Sequence, residues 1–195
     1  VLLIKTAWGG KSLYKDFRPP SAGGETGEYY GKMLAEVDEA LKNYRKEFPS
    51  LKGMKPEWGG FVWFQGWNDM FDPDALAQYE QNLVHLIKDV RAHLKQPNLP
   101  VVVGELGNMG EEAGKNMKVI REAQSKACER KEWKDRVSFV KTTAFARPKD
   151  ESPNVGHGHH WFGNAESYFL IGDALGAEMV RLLKKRNRIS GGAWR

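Results

Sequence analysis

The feature that most limits the fold is a short apolar run, Phe61–Phe64, which follows two glycines and ends at a polar segment. Aromatic and β-branched residues without polar alternation are typical of a strand that is buried on both faces. The segment Gly66–Asp69 follows at once, and it combines glycine with an amide and a carboxylate. Ligands of open parallel α/β sheets bind beyond the carboxyl ends of the strands. The run therefore predicts a parallel sheet with a candidate site at Asn68.

A Gly-x-Asn-Asp segment by itself is a weak signal, because such residues are common in ordinary turns. In a simple turn, Asn68 and Asp69 would bond to their own backbone. The context favours a functional role, since the segment follows a predicted strand and precedes Asp72-Pro73-Asp74, a typical helix start. At this point both interpretations stay open.

Strands and helices alternate along the rest of the chain. Helical spacing of apolar residues predicts helices over residues 28–47, from Leu76 to Leu94, over residues 111–131, and after Asn164. Short apolar runs predict further strands at Val1–Ala7, Val101–Gly104 and Val137–Thr142. Right-handed crossovers between such elements give a three-layer α/β/α fold with a mostly parallel sheet.

The charge of the chain is concentrated at its end. The net charge of +5 equals that of residues 184–195, which hold five basic and no acidic side chains. We therefore predict one globular domain over residues 1–183 and a basic tail over residues 184–195. A localised tail of this kind argues against nucleic-acid binding. No apolar run approaches the ~20 residues of a membrane span, and the single cysteine, Cys128, is interpreted as an apolar filler.

Two further segments carry groups suited to chemistry. Gly9-Gly10-Lys11-Ser12 follows the first predicted strand, and its glycines allow backbone N–H groups to approach a ligand. It is not a phosphate-binding P-loop, because that pattern requires glycine where Lys5 stands. A plain glycine turn is an equally good explanation of this segment alone.

Three of the five histidines, His157, His159 and His160, fall within one loop. Such a cluster can form a zinc site, although no second group of Cys or His completes tetrahedral ligation. We favour a single working histidine, because imidazole is well suited to general base chemistry near neutral pH. The predicted site accordingly contains neither a metal nor an organic cofactor.

Three segments, Lys5–Leu13, Trp63–Asp69 and His160–Gly172, resemble blocks of the SGNH hydrolases, and in particular carbohydrate acetylesterases related to sialate O-acetylesterase. The resemblance implies a flavodoxin-like sheet and a serine esterase that releases acetate from an acetylated carbohydrate. It also implies a secreted or periplasmic location. In such enzymes the nucleophile's own N–H, a glycine N–H and an asparagine amide hold the oxyanion, and a histidine is the base. Gly10, Asn68 and His160 match these roles, so we expect them to meet in one cleft.

The chain departs from the family pattern in two respects. It lacks the Gly-x-Ser block of the nucleophile, because Ser12 lies in a different block, and the acid expected three residues before the base is replaced by His157. We expect the first, nucleophile-bearing strand to be missing and to be supplied by an N-terminal segment, and Asp150 or Glu151 to orient His160.

These departures leave an alternative function open. An inactive or carbohydrate-binding member of the fold is the alternative function. Three tryptophans near the segments, Trp8, Trp67 and Trp161, are candidates for stacking on sugar rings, although packing at the rim would explain each of them equally well.

Overall fold

The centre of the fold is a three-stranded parallel sheet. The computed structural model describes residues 1–190, and its strands are β1 (Phe61–Trp63), β2 (Val101–Gly104) and β3 (Val137–Val140). They lie in the order β1-β2-β3, with Val101 paired to both Phe61 and Val137. The parallel α/β class expected from the sequence is confirmed.

Helices cover both faces of the sheet. They are α1 (Glu28–Glu47), α2 (Pro73–His93), α3 (Lys115–Cys128) and α4 (Ala165–Ser190). The side chain of Asp72 caps α2 by accepting the N–H groups of Asp74 and Ala75. The predicted basic tail begins inside α4, and its last residues, 191–195, lie outside the described part of the chain.

Alternate side chains of β2 divide the core into two layers. Val101 and Val103 belong to the larger core, which α2 and α3 build together with residues of α1. Val102 points the other way and packs against Ile171 and Leu175 of α4. Because successive strand residues face opposite sides of a sheet, this division produces the three layers.

The strand predicted at Val1–Ala7 is wrong. This segment is coil, and Val1 and Leu3 are exposed. A strand needs a neighbour to satisfy its backbone groups, and no described strand lies between this segment and β1. In the flavodoxin-like order, that position belongs to the first strand of the fold.

The prediction that Phe61–Phe64 is buried on both faces is also wrong. Val62 is 45% exposed and Phe64 is 38% exposed, whereas Trp63 is buried. α4 lies mainly over β2 and β3, so the face of β1 that bears Val62 is left partly uncovered. The apolar run is explained by an edge strand whose second face is incompletely packed.

Gly107 provides a test of how closely the segments after β2 and β3 approach each other. A Cβ added to Gly107 would overlap Thr142 Oγ1 and lie 2.6 Å from the Thr142 carbonyl carbon. Gly107→Ala should lower the free energy of unfolding by about 1–3 kcal/mol, because backbone must move to relieve the overlap. Urea denaturation measures this change.

Gly172→Ala is the matched control, because Gly172 lies in α4 and a Cβ there meets no atom within 4 Å. That variant should gain roughly 0.5–1 kcal/mol from helix propensity. Equal stability of the Gly107 variant and the parent chain would show that the two segments are not tightly packed.

Candidate active site

Two loops that are distant in sequence meet at the carboxyl edge of the sheet. Asp69 accepts hydrogen bonds from the backbone N–H of Leu13 (3.0 Å) and of Tyr14 (2.9 Å). These bonds bring the loop after residue 8 against the segment that follows β1. A Cβ placed on Gly10 would lie 3.9 Å from Asn68 Nδ2, so the two residues are neighbours.

Asp69 does not act as the simple-turn interpretation expected. Its carboxylate is bonded to backbone more than 50 residues away, as the separation of 56 positions from Leu13 shows. Gly10 has a φ of 71°, a left-handed conformation that favours glycine. Within residues 1–186, neither the Gly10 N–H nor the Asn68 amide has a hydrogen-bond partner, so both donors are available.

The histidine loop lies against the same edge. Asn108, which follows β2 and is 2% exposed, donates to the carbonyl groups of Gly158 (3.1 Å) and His159 (3.3 Å). Trp161 and Phe162 are buried with φ values of 51° and 52°. Bulky residues rarely adopt this conformation, so the surrounding packing holds the loop in a strained shape.

The three imidazoles form one exposed group. The ring of His160 lies 4.3 Å from that of His159 and 6.4 Å from that of His157, measured between centroids. The ring of His159 lies 5.8 Å from that of Trp67, the residue before Asn68. The histidine group is thus connected to the Asn68 segment through Trp67, with His159 rather than His160 in contact.

The acid expected to orient His160 is not in place. Neither Asp150 nor Glu151 is hydrogen-bonded to the His160 ring, and no carboxylate among residues 1–186 is. His157, at the position of the family's acid, directs Nδ1 to Asn154 Oδ1 at 2.5 Å. Nothing in this part of the chain fixes the tautomer of His160.

Among residues 1–186, no serine is hydrogen-bonded to His157, His159 or His160. Ser12 Oγ donates to Asp16 Oδ2 (3.1 Å) and accepts the N–H of Lys15, so it closes a local turn. Ser21 Oγ lies 2.7 Å from His85 Nδ1, but this pair tethers a loop to α2. Ser12 is therefore a turn residue, in agreement with its place outside the nucleophile block.

The histidines are not arranged as a metal site. Among the residues that the structure describes, no group of three His, Cys, Asp or Glu side chains could hold a metal ion. The pKa of His159 is lowered by partial loss of hydration and then by the charges of His160 and His157. Neutral imidazole is the form that these contacts favour.

The three tryptophans near the candidate site differ in burial and in the rings that they contact. Trp161 is 5% exposed and stacks on Phe64, with 6.4 Å between ring centroids, so packing explains it. Trp8 packs edge-on against Tyr29. Trp67 is half-buried beside Asn68 and contacts Phe71, which is 69% exposed. Trp67 is the tryptophan that lies between the Asn68 segment and the histidine group.

Sequence reasoning missed the residues that hold the loops together. Arg121 of α3 donates to the carbonyl groups of Leu106 (2.7 Å), Asn108 (2.8 Å) and Gly110 (3.0 Å). It fixes the loop from which Asn108 reaches the histidine segment. A polar residue directly after a buried strand was the available signal for Asn108, as it was for Asn68.

Comparison with known proteins identifies the family. The model of the carbohydrate esterase family described as sialic acid-specific acetylesterase matches residues 1–180, so the chain belongs to this family. An Arabidopsis thaliana protein of known structure shares the fold, with 20% identity and a TM-score of 0.52 over 83% of this chain. The chain spans 57% of that protein's length. No curated protein matches it, and none of the described helices is long and apolar enough to cross a membrane.

The arrangement of the imidazoles predicts the titration of His159. Its pKa should lie below the ordinary value of 6.5, and His160→Gln should raise it by removing a neighbouring charge. Since the folded-state pKa is lowered, the contribution of neutral His159 to stability decreases as the pH falls below 6.5. Side-chain NMR titration of the parent chain and of His160→Gln measures the pKa of His159, and denaturation at several pH values measures the stability. His85→Gln, which changes an imidazole bonded to Ser21, is the control and should leave His159 unchanged.

Proposed function

We propose that this protein is a carbohydrate O-acetylesterase, a serine ester hydrolase that releases acetate from an acetylated sugar or polysaccharide. The observation that carries the proposal is the pair of available donors, the Gly10 N–H and the Asn68 amide, side by side at the carboxyl edge of the sheet. Membership in a family of carbohydrate esterases supports the same reaction.

The proposed reaction proceeds through an acetyl-enzyme. A serine hydroxyl attacks the acetyl carbonyl carbon while His160 takes the hydroxyl proton, and the carbonyl oxygen becomes an oxyanion. The Gly10 N–H and the Asn68 amide donate to that oxygen. Collapse breaks the bond to the sugar oxygen, which receives the proton from His160. Water, deprotonated by His160, then attacks the acetyl carbonyl carbon. The bond to the serine oxygen breaks, that oxygen takes the proton from His160, and acetate is released.

The serine in this scheme is proposed to come from a polypeptide segment outside residues 1–195. The hydroxyl groups of Ser12 and Ser21 are engaged elsewhere, with Asp16 and His85. β1 is an edge strand of the described sheet, and the added segment is proposed to pair with it as one more parallel strand. The same segment would separate Val1–Ala7 from β1 and give both of them a partner.

A second candidate is a carbohydrate-binding member of the family without catalytic activity. It is favoured by the absence of a carboxylate on the His160 ring among residues 1–186 and by the half-buried Trp67 beside the exposed Phe71. Binding of an acetylated oligosaccharide without release of acetate, by a polypeptide that carries the extra segment, would support it.

The proposed location of the nucleophile predicts which polypeptide has esterase activity. Residues 1–195 alone should hydrolyse p-nitrophenyl acetate negligibly, and a polypeptide extended by a segment bearing a Gly-x-Ser block should be active. Ser21→Ala is the control, because it removes the hydroxyl that lies against His85, a pair outside the proposed site. Robust turnover by residues 1–195 that is lost in His160→Ala and kept in Ser21→Ala would show that the nucleophile lies within this chain.

Asn68→Ala tests the oxyanion role of Asn68 in the active polypeptide, which is the chain extended by the segment that bears the Gly-x-Ser block. Loss of a donor that acts on transition-state charge should lower kcat by about 100-fold or more and leave KM nearly unchanged. Steady-state kinetics and thermal melts on the same preparation measure this.

Asn116→Ala is the matched control, because Asn116 donates to the Met70 carbonyl and so supports the same segment from outside the site. It should affect stability and leave kcat intact. An Asn68 variant with a normal kcat per folded molecule would remove Asn68 from the mechanism.

A further inference from the structure

The two donors of the proposed site come from different loops, so something must fix the distance between them. Gly10 lies in the loop before α1, and Asn68 follows β1. Oxyanion donors are effective only within a narrow range of positions, and a shift of about 1 Å can cost about 100-fold in rate. Among the side chains that join these two loops, one accepts two backbone N–H groups of the loop before α1.

Asp69 is that side chain. It is fully buried, and Oδ2 accepts from the Leu13 N–H (3.0 Å) and from Gln65 Nε2 (2.6 Å), while Oδ1 accepts from the Tyr14 N–H (2.9 Å). The same Gln65 amide donates to the carbonyl group of Lys11, the residue after Gly10 (3.0 Å). Asp69 itself follows Asn68 in the chain.

Helices hold this group in turn. Tyr79 of α2 donates to the Gln65 carbonyl (2.7 Å), and Gln124 of α3 donates to the same carbonyl (2.9 Å). Gln124 Oε1 accepts the N–H of Leu106, at the end of β2 (2.9 Å). The network therefore anchors both loops to the two helices and to the sheet.

The hydrogen-bond donors around Asp69 require a carboxylate at this position. Burial raises the pKa of Asp69, and the bonds from Gln65, Leu13 and Tyr14 oppose that rise. No Lys or Arg among residues 1–186 forms an ion pair with it. An amide of the same shape would turn an NH2 group toward at least one of these donors, leaving it unpaired. Packing alone would not require a charged acceptor here.

We propose that Asp69 is a positioning residue, which sets the separation between the Gly10 N–H and the Asn68 amide by accepting the Leu13 and Tyr14 N–H groups. The catalytic consequence rests on the proposed esterase function. The positional claim stands on the geometry alone, and the two are tested separately.

The positional claim is tested on residues 1–195 by hydrogen exchange of Asp69→Asn. The amides of Leu13 and Tyr14, which donate to Asp69, should exchange at least tenfold faster than in the parent chain, while those of β2 and α3 keep their protection. Arg91→Gln is the control, because Arg91 is 7% exposed and donates to the Leu99 carbonyl at the opposite edge of the sheet. Unchanged protection of Leu13 and Tyr14 in Asp69→Asn would overturn the proposal.

The catalytic claim is tested on the active polypeptide. Asp69→Asn should lower kcat for an acetyl ester about tenfold or more with KM within about twofold, whereas Arg91→Gln should lower the melting temperature without changing kcat. If Asp69→Asn fails to fold, Gln65→Leu removes the bonds that Gln65 donates to the Asp69 carboxylate and to the Lys11 carbonyl. The carboxylate then loses a donor that orients it, and a smaller loss of kcat is expected.

The possible outcomes separate the two claims. A normal kcat in a folded Asp69→Asn enzyme, or in Gln65→Leu where that is the variant that folds, would overturn the role of Asp69 while leaving the esterase proposal intact. A wild-type polypeptide with its extra segment that releases no acetate would refute the esterase proposal and the catalytic consequence. The exchange experiment would then still decide the positional claim.

Discussion

The hydrogen bonds that Leu13 and Tyr14 donate to Asp69 are the interaction on which the candidate site depends. A buried carboxylate is costly unless donors replace its hydration, and here two backbone N–H groups and the Gln65 amide do so. The position of Gly10 next to Asn68 follows from these bonds. Without them, the loop before α1 would keep the bond from Gln65 to the Lys11 carbonyl but would lose both of its bonds to Asp69.

This dependence explains how the two loops stay together although β1 is an edge strand of the described sheet. Val1–Ala7 forms no strand, and β1 has a free edge, yet the glycine loop still lies against Asn68. The loop is held by side-chain contacts made after residue 10, and not by strand pairing before it. The histidine loop is held in the same manner, by Asn108 from the end of β2.

Local patterns in the sequence predicted what local physics determines. The helix periods, the buried run of β2 and the cap at Asp72 were readable, because each depends on neighbours in the chain. The strand at Val1–Ala7 was not, because a strand also requires a partner. The bonds of Asp69 and Asn108 join residues about 50 positions apart, and the positive φ of Trp161 follows from packing, so sequence patterns give no direct signal for them.

The central claim is that Gly10 and Asn68 hold an oxyanion. The most direct measurement is a crystal structure of the polypeptide that includes the nucleophile segment, inhibited covalently by an alkyl phosphonate that mimics the tetrahedral intermediate. If both donors hold the oxyanion, one phosphonyl oxygen should lie about 2.7–3.1 Å from both the Gly10 N and Asn68 Nδ2. A phosphonyl oxygen that points to solvent, or that is bound by other donors while Asn68 stays unpaired, would contradict it.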